Sequence, residues 1–130
     1  MKKAFVFIIM LVTLTLSISA QIQKFVSTEQ AICNVDFSVV KGYDKIYLTF
    51  NYDTKVITLS NANTGSKFTF KMGSEYKESG TMVGDTRSIR VTSTNAPAVK
   101  RFFFSLDLPD VIFMENKDGK TTTFGSLTKL

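Results

Sequence analysis

Eleven carboxylates, one thiol at Cys33 and no histidine are what this 130-residue sequence offers for acid–base or nucleophilic chemistry. The missing histidine matters most. It removes the usual general base at neutral pH, the Ser-His and Cys-His nucleophile pairs, and the commonest transition-metal ligand. A zinc site built on one Cys and carboxylates would lack the donor set the ion prefers. A carboxylate pair could serve glycoside hydrolysis, but Asp44, Asp53, Asp85, Asp110 and Asp118 fall among turn-forming residues, where Asp stabilises local backbone. Asp36 stands in a strand-like run on its polar side, where a solvated carboxyl does not acquire the shifted pKa of a general acid. Gly80-Thr81-Met82-Val83-Gly84 lacks both the Lys and the following helix of a phosphate loop. No catalytic residue, metal ligand or cofactor is therefore expected, and the chain reads as a non-enzyme.

The side chains that remain are suited to binding. In Arg101-Phe102-Phe103-Phe104-Ser105, inward-facing Phe102 and Phe104 would leave Phe103 facing outward beside Arg101. Either the polar segment 73–85 covers Phe103 or it is an exposed anchor. Tyr43, Tyr47 and Tyr76 would extend such a patch, since Tyr offers an apolar body with a polar tip. Phe103, Arg101, Tyr47, Tyr43 and Tyr76 are the expected interaction residues.

Strands must position them. Cys33, Val35, Phe37 and Val39 alternate with Asn34, Asp36 and Ser38, the period of a half-buried strand, which makes Cys33 a small core residue and not a reactive thiol. Ile46, Leu48, Phe50 and Tyr52 repeat the pattern, as do Phe68, Phe70 and Met72, then Ile89 and Val91. Gly73 to Asp85 is polar and broken by glycine, and reads as a loop or irregular strands. Ser27-Thr28-Glu29-Gln30 fits a capping box, allowing one helical turn before the first strand. Asn61-Ala62-Asn63-Thr64-Gly65 and Asn116-Lys117-Asp118-Gly119-Lys120 are turns. The result is an all-β, antiparallel meander of about eight short strands. A small barrel is the first expectation, calycin-like at the level of fold alone with no family motif to carry it; a two-layer sandwich is the second. Phe37, Phe50, Phe68, Phe70, Phe102, Phe104, Phe113 and Phe124 are expected to point inward and fill the interior.

The first twenty residues read as a cleavable signal peptide of bacterial type. Lys2 and Lys3 precede the apolar run Ala4 to Leu16, and Ser17-Ile18-Ser19-Ala20 supplies small residues before Gln21. The apolar run is shorter than the roughly 20 residues that span a bilayer. Residues 21–130 then form one exported domain, periplasmic or extracellular. Fourteen Lys and Arg against eleven Asp and Glu leave it at +3, with the basic residues scattered and not gathered for nucleic acid.

The function expected is that of a small exported binding module acting through its outer surface or loops on a protein or glycan. A carrier of a small apolar ligand is the alternative. A third reading, an outer-membrane barrel, would need strands of about 9 to 11 residues, longer than most segments here; no stable membrane insertion is expected after signal cleavage.

Overall fold

The computed structural model describes residues 21–130, so the expected signal peptide lies outside the described residues. The chain forms β1 (Ile22–Ser27), β2 (Glu29–Cys33), β3 (Val39–Gly42), β4 (Ile46–Asn51), β5 (Val56–Asn61), β6 (Lys67–Thr81), β7 (Gly84–Thr92), β8 (Val99–Ser105), β9 (Ile112–Asn116), β10 (Thr121–Gly125) and β11 (Thr128–Lys129). They pair antiparallel in one sheet of order β11-β1-β4-β5-β6-β7-β8-β9-β10-β2-β3. The all-β antiparallel expectation holds, with eleven strands in place of about eight. The sheet is not closed: its order ends at β11 and at β3.

Two bends shape it. Only Thr28 separates β1 from β2, yet β1 pairs with β4 and β11 while β2 pairs with β10 and β3. Ser27 and Gln30 hold this corner. The buried Ser27 Oγ lies 2.8 Å from the Gly125 carbonyl oxygen and 3.0 Å from that of Glu29. Gln30 Nε2 donates to the Asp44 carbonyl at 2.8 Å, and its Oε1 accepts the Asp44 N–H at 3.1 Å. Such bonds satisfy polar groups that would otherwise cost about 1–3 kcal/mol each when buried. The Ser27-Thr28-Glu29-Gln30 segment is thus strand and corner, not the helical turn its capping-box pattern allows.

One sheet face carries the core. Ile46, Leu48 and Phe50 of β4 face Ile57 and Leu59 of β5, Phe70 and Met72 of β6, Ile89 and Val91 of β7, and Phe102 of β8. Phe102 meets Phe70 edge to face at 5.0 Å and Phe50 at 5.9 Å. Such pairs contribute about 0.5–1.5 kcal/mol beyond area burial. Phe50, Phe68, Phe70, Phe102, Phe104 and Phe124 point inward as expected.

Phe37 and Phe113 do not. Phe113 pairs with Phe103, on the opposite face to the core. Phe37 is 87 % exposed with a φ of 67°, because residues 34–38 are a hairpin tip and not a strand. The polar half of the apparent alternation makes the turn: Asp36 Oδ1 accepts the Ser38 N–H at 3.0 Å, and the Asn34 carbonyl accepts the Phe37 N–H at 3.0 Å. The Asp36 side-chain bond and this backbone bond compete with the ladder and win. The Ser38 hydroxyl, donating to Asp36 Oδ1 at 2.6 Å, and then the Ser38 N–H hold the Asp36 carboxyl below its usual pKa. Cys33, the last residue of β2, is half-buried and free, not the core residue expected.

Of the two expectations for the segment 73–85, a loop or irregular strands, the irregular strand around Tyr76 is the one found, while Met82 lies in the turn. The segment is the distal part of the long β6–β7 hairpin, kept in pairing by irregularities between Met72 and Glu75 and between Glu78 and Thr81. β-Bulges of this kind absorb extra residues and twist the strand.

Candidate functional site

The expected interaction residues come together only in part. On the face away from the core, Arg101 of β8 stands between β7 and β9. Its Nε donates to Glu115 Oε1 at 2.9 Å, and its Nη1 lies within 2.9–3.1 Å of Ser88 Oγ, Glu78 Oε1 and the Tyr76 hydroxyl. Its guanidinium carbon lies 4.5 Å from the centre of the Phe103 ring, and Phe103 stacks on Phe113 at 4.7 Å and 5°. Lys100 Nζ adds a second cation 3.1 Å from Glu115. Burial pushes the Glu115 carboxyl up, but the bonds from Arg101 and Lys100 and their charges outweigh that and hold it below the usual carboxylate value. Burial likewise pulls the Arg101 guanidinium down, and Glu115 and Tyr76 raise it above its ordinary value.

Phe103 and Arg101 are therefore neighbours, as the alternation in β8 implied, and Tyr76 joins them, but they are spent on one another. Phe103 is only 8 % exposed and offers no anchor. Its cover is the Arg101 guanidinium and the Phe113 ring. Tyr47, on β4, is separated from β8 by three strands in the sheet order, and its ring centre lies 5.5 Å from Lys45 Nζ. Tyr43 sits between β3 and β4 and is well exposed.

The core face has two ends. At one, β4 runs on into Tyr52, and the extended β6–β7 hairpin brings Arg87 across it. The Arg87 guanidinium lies 5.5 Å from the Phe104 ring centre and 5.6 Å from that of Tyr52, donates to the Tyr52 hydroxyl at 2.7 Å and faces Glu75 at 3.9 Å. Phe104 rests on Phe50 at 5.2 Å. This end is filled. Burial pushes the Tyr52 hydroxyl above its usual pKa, against the lowering by the Arg87 charge.

The other end is open. β5 stops at Asn61, whose Oδ1 accepts the N–H groups of Asn63 and Thr64 at 2.9 and 3.2 Å, and Gly65 at φ 78° turns the chain back into β6. Ile32 of β2, Met114 of β9 and Thr122 and Phe124 of β10 border the same space as this turn. That space is a cleft of about 410 Å³. Ile32, Ile46, Leu59, Phe68, Phe70, Val99, Met114 and Phe124 supply its apolar lining, with Asn61, Thr64, Ser66 and Thr122 among the polar groups and no charged side chain. A second space of about 360 Å³ adjoins it, sharing Ile32, Ile46, Asn61, Thr122 and Phe124, reaching Val40, Lys41 and Gly42 of β3, and bordered also by Gln30 and Asp44. Both volumes fall in the range of sites that take a small ligand or an apolar side chain.

The sequence identified several of these residues as inward-facing but not the space between them. The available signal was the Asn61 to Gly65 turn, which cuts one wall short. Among the described residues, no three His, Cys, Asp or Glu side chains are gathered to hold a metal ion. The chain matches no protein-family model and no curated protein sequence.

Proposed function

We propose that the protein is a small exported, non-catalytic binding module and that it binds through the loop end of the sheet, at the uncharged cleft, and not through the Arg101 face. The partner is a protein that places an apolar side chain there. The observation that carries this is the contrast in satisfaction. Arg101, Glu115, Tyr76 and Phe103 already hold one another, whereas Phe68, Met114 and Ile32 border empty apolar space. Burying apolar surface in such a space contributes about 25 cal/mol per Å² before the costs of association. An uncharged, carbon-lined cleft favours an apolar group over a glycan, whose hydroxyls would lose water there without enough partners.

A second reading, a carrier of a small apolar ligand, is favoured by the cleft volume itself. It goes with a barrel-like wrap in which residues 22–33 and 121–129 cross the gap between the sheet's ends. That architecture is supported by the pairing of β1 with β11 and of β2 with β10 across the two bends. A water-facing domain is supported over a lipid-facing barrel by the Phe-rich inner face and by the Arg and Glu side chains outside.

N-phenyl-1-naphthylamine, a neutral apolar fluorophore, tests the location. Its emission should rise on binding at one site, Met114→Lys should weaken binding by about tenfold or more, the consequence of setting a charge in apolar surroundings, and Arg101→Ala should leave it unchanged. Loss of binding in Arg101→Ala with full binding in Met114→Lys would overturn the proposal.

A further inference from the structure

We infer that the occupant of this end is an extended peptide segment of a partner protein, which adds as a strand to the free edge of β3 and points one aliphatic side chain into the space that joins β3 to the cleft. This rests on the proposed location of binding and goes further by naming what binds and how.

The backbone defines the occupant. The Asn34 N–H donates to the Ser38 carbonyl at 2.9 Å, closing the β2–β3 hairpin. In an antiparallel pair, hydrogen-bonded and non-hydrogen-bonded positions alternate. With the register Cys33 to Val39, Ile32 to Val40 and Gln30 to Gly42, it is Val40 and Gly42 that bond to β2. The N–H and C=O groups of Val39 and Lys41 are left pointing away from the sheet, and they have no partner among the described residues. Four backbone groups thus wait in strand geometry beside a space lined by Ile32, Val40, Ile46 and Phe124, with Gln30, Asp44, Asn61 and Thr122 as polar neighbours. A small apolar molecule would fill that space and leave all four unused. An added strand uses them and fills it.

The side chains agree. Exposed sheet edges are commonly protected by charges, proline or a bulge, and β3 carries Val39 and Val40, both more than half exposed, with a single charge at Lys41. Lys41 pairs with Ala31, on the outer side of the hairpin. Val40 and Gly42 face inward, and the glycine has no side chain to occupy the space it borders. The added strand runs where β5 has already ended at Asn61. Its residue opposite Val40 points inward toward Ile32 and Ile46, while the residues on either side point outward, where an acidic one would meet Lys41. The segment that fits has the order polar, aliphatic, polar or acidic, as in other strand-addition complexes where backbone bonds give affinity and alternate side chains give specificity.

The test is a titration of the full chain with the blocked peptide acetyl-Thr-Val-Glu-Leu-Thr-Val-Ser-amide, followed by NMR. Amide exchange at Val39 and Lys41 should slow by about tenfold or more at saturation, and the methyl signals of Val40 and Ile32 should shift. The same peptide N-methylated at Glu and both Thr, which keeps the side chains but removes the donors, should bind at least about tenfold more weakly. Lys41→Pro, which removes one edge donor, should abolish the protection at Val39. Equal binding by the N-methylated peptide, or no protection at Val39 and Lys41 at millimolar peptide, would overturn the inference. So would protection that grows with protein concentration and needs no peptide, which would identify a second copy as the occupant. Fluorophore binding that persists where the peptide fails removes this inference alone; failure of both removes the proposed location as well.

Discussion

The two ends of the aromatic core are lined alike and finished differently. At one, Phe50 and Phe104 approach to 5.2 Å and Arg87 lies over Phe104 and Tyr52. At the other, Phe68, Met114 and Phe124 surround a cleft of about 410 Å³. Residue type does not account for this, since large apolar side chains line both. Strand length does. β6 continues to Thr81 and β7 begins at Gly84, so their hairpin overhangs the first end and delivers Arg87, whereas β5 stops at Asn61 and leaves the second end with one low wall. Alternation decides which way a side chain faces; the connections decide whether the space it faces is filled.

The largest test of this contrast removes a ring from the packed centre. Phe102→Ala takes away the side chain that meets both Phe50 and Phe70 and should cost about 3–5 kcal/mol in urea denaturation. Phe68→Ala, on the cleft wall and only partly buried, should cost less than half as much, because its ring already lacks neighbours on one side. Equal losses would break the comparison. Next, Arg87→Ala should open the filled end at a cost of about 1–2 kcal/mol, from one hydrogen bond and two cation–π contacts. It should also add a second binding site for N-phenyl-1-naphthylamine, read as a change in stoichiometry.

On the outer face, Glu115→Gln should cost about 1 kcal/mol at pH 7, the size of a partly screened charge-assisted bond. The sign with pH follows from the lowered Glu115 pKa. Its contribution is present above the unfolded carboxylate value of about 4.3 and is lost as pH falls through the lower folded value. Denaturation curves from pH 7 to pH 3 should therefore flatten in Glu115→Gln. The smallest effect belongs to Phe37→Ser at the exposed hairpin tip, which should change stability by no more than about 0.5 kcal/mol.

The sequence made much of the scaffold legible and little of the site. The alternation at Ile46 to Tyr52 and Phe68 to Met72 placed two core strands correctly, because burial on one face writes a period of two into the chain. The same period failed at Cys33 to Val39. There Asn34, Asp36 and Ser38 are turn residues whose bonds to nearby backbone set a tip, and the apolar residues between them are exposed. Arg101, Phe103 and Tyr76 were correctly drawn to one face, but their mutual saturation depends on cross-strand register with Glu115, Ser88 and Phe113, which bulges in β6 and β8 shift and composition does not encode. The cleft was hidden for a similar reason. Ile32, Met114 and Phe124 come from the paired strands β2, β9 and β10, and they face Ile46, Leu59 and Phe68 of β4, β5 and β6 only through the bend at Ser27-Thr28 and the return from β10 to β11 at Ser126-Leu127.

Benzene, small and neutral, tests most directly whether the open end is an apolar binding site. Titrated into the protein and followed through methyl NMR signals, it should shift Ile46, Leu59, Val99 and Met114 with one saturable curve and leave Ile57, Ile89 and Ile112, packed toward the filled end, unmoved. Uniform shifts across both groups, or none at the first four, would contradict a preformed site at the open end.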